Sequence, residues 1–145
     1  MSVRPGDRLT RVAAVLCLLG LGVAGYLTYV HYEGISAVCS TGGCERVQSS
    51  SYSELAGIPV ALLGLLGYLG IALSLLLRGD LGRAATAGLA ICGFGFSAYL
   101  TYLELFVIDA ICQWCVASAL LMTGLLVVAV MRLLRLPAAG RSASD

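Results

Sequence analysis

The stretch CQWCVASALLMTGLLVVAVMRLL, residues 112–134, joins a cysteine pair to an apolar run of membrane-spanning length. A helix needs about 20 apolar residues to cross a hydrocarbon layer of roughly 30 Å. Cys112 and Cys115 stand three positions apart where that run begins. We therefore predict a transmembrane helix over about residues 113–134, with a redox-active thiol pair in its first turn.

The rest of the chain is equally apolar. Of its 145 residues, 59% are hydrophobic and 12% are charged, which leaves too little polar surface for a soluble domain of this size. Further spans are predicted at about 12–30, 57–77 and 84–107. The first run continues past the usual length of a signal-peptide core and has no cleavage pattern, so we expect it to be retained. The predicted fold is an all-α membrane protein, a four-transmembrane-helix bundle forming a single domain over 1–145.

The positive charges are unevenly distributed. All nine cationic residues are arginines, and only Arg46 lies in the 31–56 loop; the others are Arg4, Arg8, Arg11, Arg78, Arg83, Arg132, Arg135 and Arg141. Because arginine accumulates in short cytoplasmic segments, we predict that both termini and the 78–83 turn are cytoplasmic. The 31–56 loop and the 108–112 turn then face outward. A net charge of +1 gives no indication of a nucleic-acid partner.

Two cysteine pairs fall on this predicted outer face, where disulfides form and persist. Cys39 and Cys44 are separated by a flexible Ser-Thr-Gly-Gly segment, and Cys112 and Cys115 open the last span. The free N–H groups and dipole of a helix start stabilise a thiolate. Because Cys112 stands at the helix start and Cys115 one turn further in, we expect Cys112 to be the more exposed thiol and Cys115 to lie deeper in the bilayer.

Two neighbouring pairs can pass two electrons by thiol–disulfide exchange without a metal. Two structural disulfides are an alternative interpretation. A zinc site is another, although an oxidising compartment and the lack of a nearby histidine pair count against it. We predict no metal.

An internal repeat relates the two halves of the chain. The tetrapeptide Tyr-Leu-Thr-Tyr occurs at 26–29 and at 99–102, an offset of 73 residues that also carries Cys39 onto Cys112. We interpret the chain as two similar helical hairpins; the alternative is a chance tetrapeptide in a biased composition.

Three motifs together resemble the vitamin K epoxide reductase family, in particular its small bacterial members without a fused thioredoxin-like domain. They are CERVQSS at 44–50, GIPV at 57–60 followed by Tyr68, and CQWC at 112–115. The resemblance implies four helices around a quinone near the outer side, with an outer loop that carries a short helix. It further implies residence in the bacterial inner membrane.

The resemblance also implies roles for the cysteines. Cys39 would accept electrons from a periplasmic thioredoxin-like partner, Cys44 would pass them to Cys112, and Cys115 would face the quinone ring. Ser50 matches a family serine near the redox centre, and a helix cap or turn role for it stays open.

Candidate quinone contacts besides Cys115 are Trp114, Tyr68 and Tyr99, for which anchoring at the membrane interface is the alternative. Five titratable residues lie near the outer ends of the spans, where they form either a solvated rim or a route for protons: His31, Glu33, Glu54, Glu104 and Asp109.

The predicted function is quinone-dependent thiol–disulfide oxidation that supports disulfide bond formation. The predicted substrate is an ordinary quinone, ubiquinone or menaquinone. The asparagine with which vertebrate members hydrogen-bond the vitamin K headgroup has no counterpart near 57–60, and the tyrosine that they carry shortly after the C-x-x-C is absent near Ala119. One alternative is the unrelated quinone-linked disulfide oxidase, in which the two cysteine pairs occur in the opposite order. The other is a non-catalytic four-span scaffold whose disulfides only hold its loops in place. Oligomeric state is not predicted.

Overall fold

Four helices and one short β-hairpin make up the described part of the chain. In the computed structural model these residues are 5–35, 38, 46, 51, 54–77 and 79–134. The elements in chain order are α1 (Pro5–Glu33), β1 (Glu54–Leu55), β2 (Ile58–Pro59), α2 (Val60–Leu76), α3 (Gly79–Tyr102), a π-helical continuation of α3 (Leu103–Ile108) and α4 (Gln113–Leu134).

The helical, membrane-type character predicted from composition is confirmed. Three segments are long and apolar enough to cross a bilayer, namely Arg8–Glu33, Gly79–Ile108 and Gln113–Leu134, while Val60–Leu76 is a shorter apolar helix. The third helix begins five residues before the predicted boundary at 84.

The β-hairpin is a departure from the all-α prediction. Its strands pair antiparallel, with Glu54 opposite Pro59 and Leu55 opposite Ile58. Ala56 and Gly57 form the turn with φ angles of 55° and 81°, the two positive values that a type I′ turn requires. The predicted boundary at 57 is thus three residues too early, since α2 begins at Val60 and an Ala-Gly pair lacks the usual Asn or Asp signal of such a turn. The predicted short helix belongs to the 31–56 loop, most of which lies outside the described part.

The helices form a closed ring. Helix α1 packs mainly against α2 and α4, and α3 packs mainly against the same two, so α1 and α3 lie at opposite corners. Close approach depends on glycine at two contacts, because a Cβ on Gly20 would overlap the Tyr68 ring and one on Gly93 would overlap Met122. Small residues commonly permit such contacts between helices in lipid.

Hydrogen bonds also join neighbouring helices in the interior. The Cys17 thiol of α1 donates to the Tyr68 carbonyl of α2 at 3.0 Å. The hydroxyls of Ser74 in α2 and Thr86 in α3 lie 2.7 Å apart, and both residues are buried. Polar side chains are satisfied in this way where water is absent.

Candidate redox site and its cavity

The site begins where α3 ends. The π-helical segment stops at Asp109, which adopts a left-handed conformation with φ 55° and ψ 38°, one that aspartate tolerates better than most residues. The N–H of Ala110 then donates to the Glu104 carbonyl at 3.1 Å. This reversal redirects the chain into α4 within a few residues.

Cys112 lies immediately before α4, and its carbonyl accepts the first helical hydrogen bond, from Val116 N–H at 3.0 Å. Cys115 is therefore one turn inside the helix, as its spacing predicts. Both residues are free thiols.

The pKa of Cys112 is lowered from its usual value near 9.0, first because the Cys115 side chain donates a hydrogen bond to it, and further because the N–H groups of Cys115 and Trp114 point at it. Burial opposes this shift, since the charged thiolate loses solvation. The lowered pKa makes Cys112 a ready nucleophile for disulfide exchange.

The prediction that Cys112 is the more exposed thiol of the pair is wrong. Cys112 is 0% exposed, whereas Cys115 is partly exposed. The reason lies in the turn before α4, which folds the Cys112 backbone against the end of α3, where its N–H donates to Glu104 Oε2 at 3.2 Å.

A cavity of about 140 Å³ opens inside the ring of helices. Side chains from all four helices line it, and most of them are aliphatic or glycine; its polar groups include Cys115, Glu104, His31, Tyr68 and Ser118. A largely apolar cavity with a few polar groups is typical of a site for a small organic molecule. Cys115 therefore faces an apolar chamber within the membrane-type bundle.

The internal repeat reappears in the walls of this cavity. Three positions of α1 line it together with three positions of α3 and its continuation at the same offset of 73 residues: Ala24, Leu27 and His31 with Ser97, Leu100 and Glu104. Thr28 donates to the Ala24 carbonyl at 2.7 Å and Thr101 to the Ser97 carbonyl at 2.9 Å, so the local geometry repeats as well. The two hairpins thus present equivalent faces to one cavity.

The candidate quinone contacts separate into two groups. Tyr68 lines the cavity, and its hydroxyl donates to the Ser118 carbonyl at 2.8 Å. Trp114 is not among the lining residues; its indole N–H instead donates to the Val38 carbonyl at 2.6 Å, and its ring lies 5.0 Å from that of Tyr26. Tyr99 is 49% exposed and lies outside the cavity too.

The remaining candidate residues, Cys39, Cys44 and Ser50, lie outside the described part of the chain. Val38, the described residue directly before Cys39, donates its N–H to the Tyr26 hydroxyl at 3.0 Å. Since Val38 also accepts the Trp114 hydrogen bond, the residue before Cys39 is attached at the start of α4.

For Glu104 the sequence leaves open a solvated rim or a route for protons. The structure excludes a solvated position, because Glu104 is 4% exposed and lines the cavity. The available signals were its place in an apolar run, where an acidic residue indicates function, and its equivalence to His31 in the repeat. His31 lies 3.2 Å from the exposed Glu54 carboxylate.

A helical membrane bundle whose apolar cavity exposes the second thiol of a C-x-x-C pair has the construction of a membrane thiol oxidoreductase. The family model described as Vitamin K epoxide reductase family matches residues 11–130. The chain therefore belongs to the vitamin K epoxide reductase family, as its motifs indicate, and to the quinone-linked thiol–disulfide oxidoreductases in general. Among the described residues no group of three or more His, Cys, Asp or Glu side chains is arranged to hold a metal.

Proposed function

We propose that this protein oxidises thiols with a membrane quinone, passing electrons from a periplasmic thioredoxin-like partner through Cys39 and Cys44, then through Cys112 and Cys115. The observation that carries the proposal is the position of Cys115, which lies in the first turn of α4, three residues after Cys112, and lines the apolar cavity. A thiol in this position can form a disulfide with Cys112 and deliver the electrons to a lipid-soluble acceptor in the cavity.

The cavity suits a quinone as substrate. A flat, largely apolar ring with two carbonyl oxygens needs apolar walls and a few polar groups, and Leu27, Phe96 and Leu100 supply such walls. Tyr68 bounds the same space, with its hydroxyl held by Ser118. Ubiquinone and menaquinone both meet this description.

The contact at Val38 supports transfer from the loop pair. Cys39 follows this anchored residue directly, and Cys44 follows six positions after it. Six residues of extended chain span at most about 22 Å, so the chain length from Val38 is compatible with either loop cysteine reaching the start of α4. A loop cysteine within such reach could attack a Cys112–Cys115 disulfide by thiol–disulfide exchange.

The direction of electron flow follows from reduction potentials. Respiratory quinones are more oxidising than most protein dithiols, so the electrons run from the partner into the quinone. The partner leaves as a disulfide, and the net effect is to support disulfide bond formation outside the cytoplasm.

We further propose that all four helices span the bacterial inner membrane. Helix α2 has 17 residues, or about 26 Å at 1.5 Å per residue, and it packs between two longer candidate spans. The arginine distribution then favours cytoplasmic termini and an outward-facing redox site.

Purified protein in proteoliposomes provides the test. A reduced thioredoxin-like protein serves as electron donor, and ubiquinone and menaquinone analogues serve as acceptors. We expect the Cys115→Ala variant to lose quinone reduction to the background level. Cys92→Ala is the matched control, because Cys92 is an exposed thiol of α3 outside the cavity lining, and it should keep full activity.

Full activity in Cys115→Ala would overturn the assignment. Absence of quinone reduction in the unaltered protein with both acceptors would instead favour a non-catalytic scaffold whose disulfides only hold its loops in place.

A further inference from the structure

A carboxyl group is buried at the point where the thiol pair meets the cavity. Glu104 is 4% exposed, and it is the only acidic residue among the described residues that line the cavity. A buried carboxyl is costly unless it is well hydrogen-bonded. Its retention inside an apolar helix therefore needs an explanation.

Glu104 contacts the turn that carries the thiol pair. Its Oε2 accepts the backbone N–H of Cys112 at 3.2 Å, and its side chain lines the same cavity as Cys115. Burial, the contact with Cys112 and the shared cavity together place this carboxyl between the thiol pair and the space available to a substrate.

The backbone supports this position. Glu104 lies in the first turn of the π-helical segment, and the left-handed Asp109 closes that segment onto the Glu104 carbonyl. Wide turns of this kind occur often at functional sites. The neighbouring Leu105 and Phe106 are exposed, so the segment turns one carboxyl inward among outward-facing apolar side chains.

We propose that Glu104 is a proton carrier that takes the Cys115 thiol proton and delivers it to a quinone oxygen. This inference rests on the proposed function. As the Cys112–Cys115 bond forms, the pair gives up two electrons, and the Cys115 proton passes through Glu104 to the quinone. The second proton of the quinol comes from solvent, which received the Cys112 proton when that thiol ionised. The quinone becomes the quinol, and Glu104 returns to the carboxylate.

Other titratable groups around the cavity are less suited to the task. Tyr68 of α2 donates its hydroxyl proton to the Ser118 carbonyl. His31 of α1 is occupied by Glu54 at the rim. Cys112, immediately before α4, is itself a reactant. Glu104 both lines the cavity and accepts a hydrogen bond from the turn that carries the thiol pair.

The principal variant is Glu104→Gln, which keeps the shape and can still accept the Cys112 N–H. General acid–base groups contribute about 10²- to 10⁴-fold to rate, so we expect kcat for quinone reduction to fall by that order with little change in KM. Glu104→Asp keeps a carboxyl and should recover part of the rate. The matched control is Glu54→Gln, an exposed carboxyl at the rim, which should leave kcat unchanged.

A second readout needs no quinone. Infrared difference spectra between the dithiol and disulfide forms should contain a carboxyl signal, because forming the Cys112–Cys115 bond changes the surroundings of Glu104, which is bonded to the Cys112 N–H and lines the same cavity as Cys115. This signal should disappear in Glu104→Gln and remain in Glu54→Gln. The infrared measurement remains a test if Glu104→Gln folds too poorly for kinetics, because the proposal requires the carboxyl signal in the unaltered protein.

An unchanged kcat in Glu104→Gln, or a missing carboxyl signal in the unaltered protein, would refute the proton-carrier role. The proposed function fails by a different result, namely an unaltered protein that reduces no quinone. The two failures can therefore be told apart.

Discussion

Cys112 combines two properties that oppose each other. It is completely buried, yet its pKa is lowered, because the Cys115 side chain and nearby backbone N–H groups stabilise its thiolate. Hydrogen bonds to the charged form thus outweigh the loss of solvation. Because the pKa of Cys112 is lower in the folded than in the unfolded protein, its ionisation stabilises the folded reduced protein. This stabilisation is complete above the unfolded-state pKa and is lost as the pH falls through the folded-state pKa.

A pair of substitutions tests the cause of this pKa. In a background without the other cysteines, Cys115→Ala removes the hydrogen-bond donor, so the midpoint for Cys112 ionisation should move to higher pH. Cys115→Ser keeps a donor and should hold the midpoint closer to that of the parent. The measurement is ultraviolet thiolate absorbance against pH, and equal midpoints in the two variants would contradict the assigned cause.

At the scale of elements, one helix contact shapes the cavity. The Tyr68 ring of α2 packs against Gly20 of α1, where there is no space for a Cβ. The same tyrosine lines the cavity and reaches Ser118 of α4, so it connects three helices. Displacing the ring therefore affects packing and the substrate site together.

The Gly20→Ala substitution should lower the free energy of unfolding by about 1–3 kcal/mol, the usual cost of overpacking. It should also raise KM for the quinone, because Tyr68 must shift. Gly22→Ala is the matched control, since Gly22 is exposed and a Cβ there meets nothing within 4 Å. Thermal unfolding in lipid nanodiscs and steady-state kinetics measure both effects; equal stability of the two variants would count against the contact.

At the scale of the whole molecule, the two hairpins enclose the cavity with equivalent positions. His31 and Glu104 are related by the repeat, and both line the cavity. The repeat therefore places one titratable side chain from each half at corresponding depths. The arginine distribution supports our proposal that this site lies at the outer side of the membrane.

Labelling of intact cells tests that orientation. In a background without native cysteines, Leu55→Cys in the exposed hairpin should react with a membrane-impermeant maleimide. Asp80→Cys, at the exposed start of α3, should react only after permeabilisation. The opposite pattern would reverse the proposed topology.

Several features were predictable from the sequence because they depend on local properties. The length and hydropathy of each run indicate a membrane helix, and the spacing of Cys112 and Cys115 predicts one thiol before α4 and one inside it. The motifs are sufficient to identify the family, which the match over 11–130 confirms.

Other features were decided by tertiary structure alone. Whether Glu104 faces water or the cavity depends on the π-helical segment and on how α3 meets α4. The same contacts bury Cys112 and leave Trp114 and Tyr99 outside the cavity. Apolar composition all around a membrane helix contains little information about which face turns inward, so the orientation of each side chain is set by packing between segments far apart in the chain.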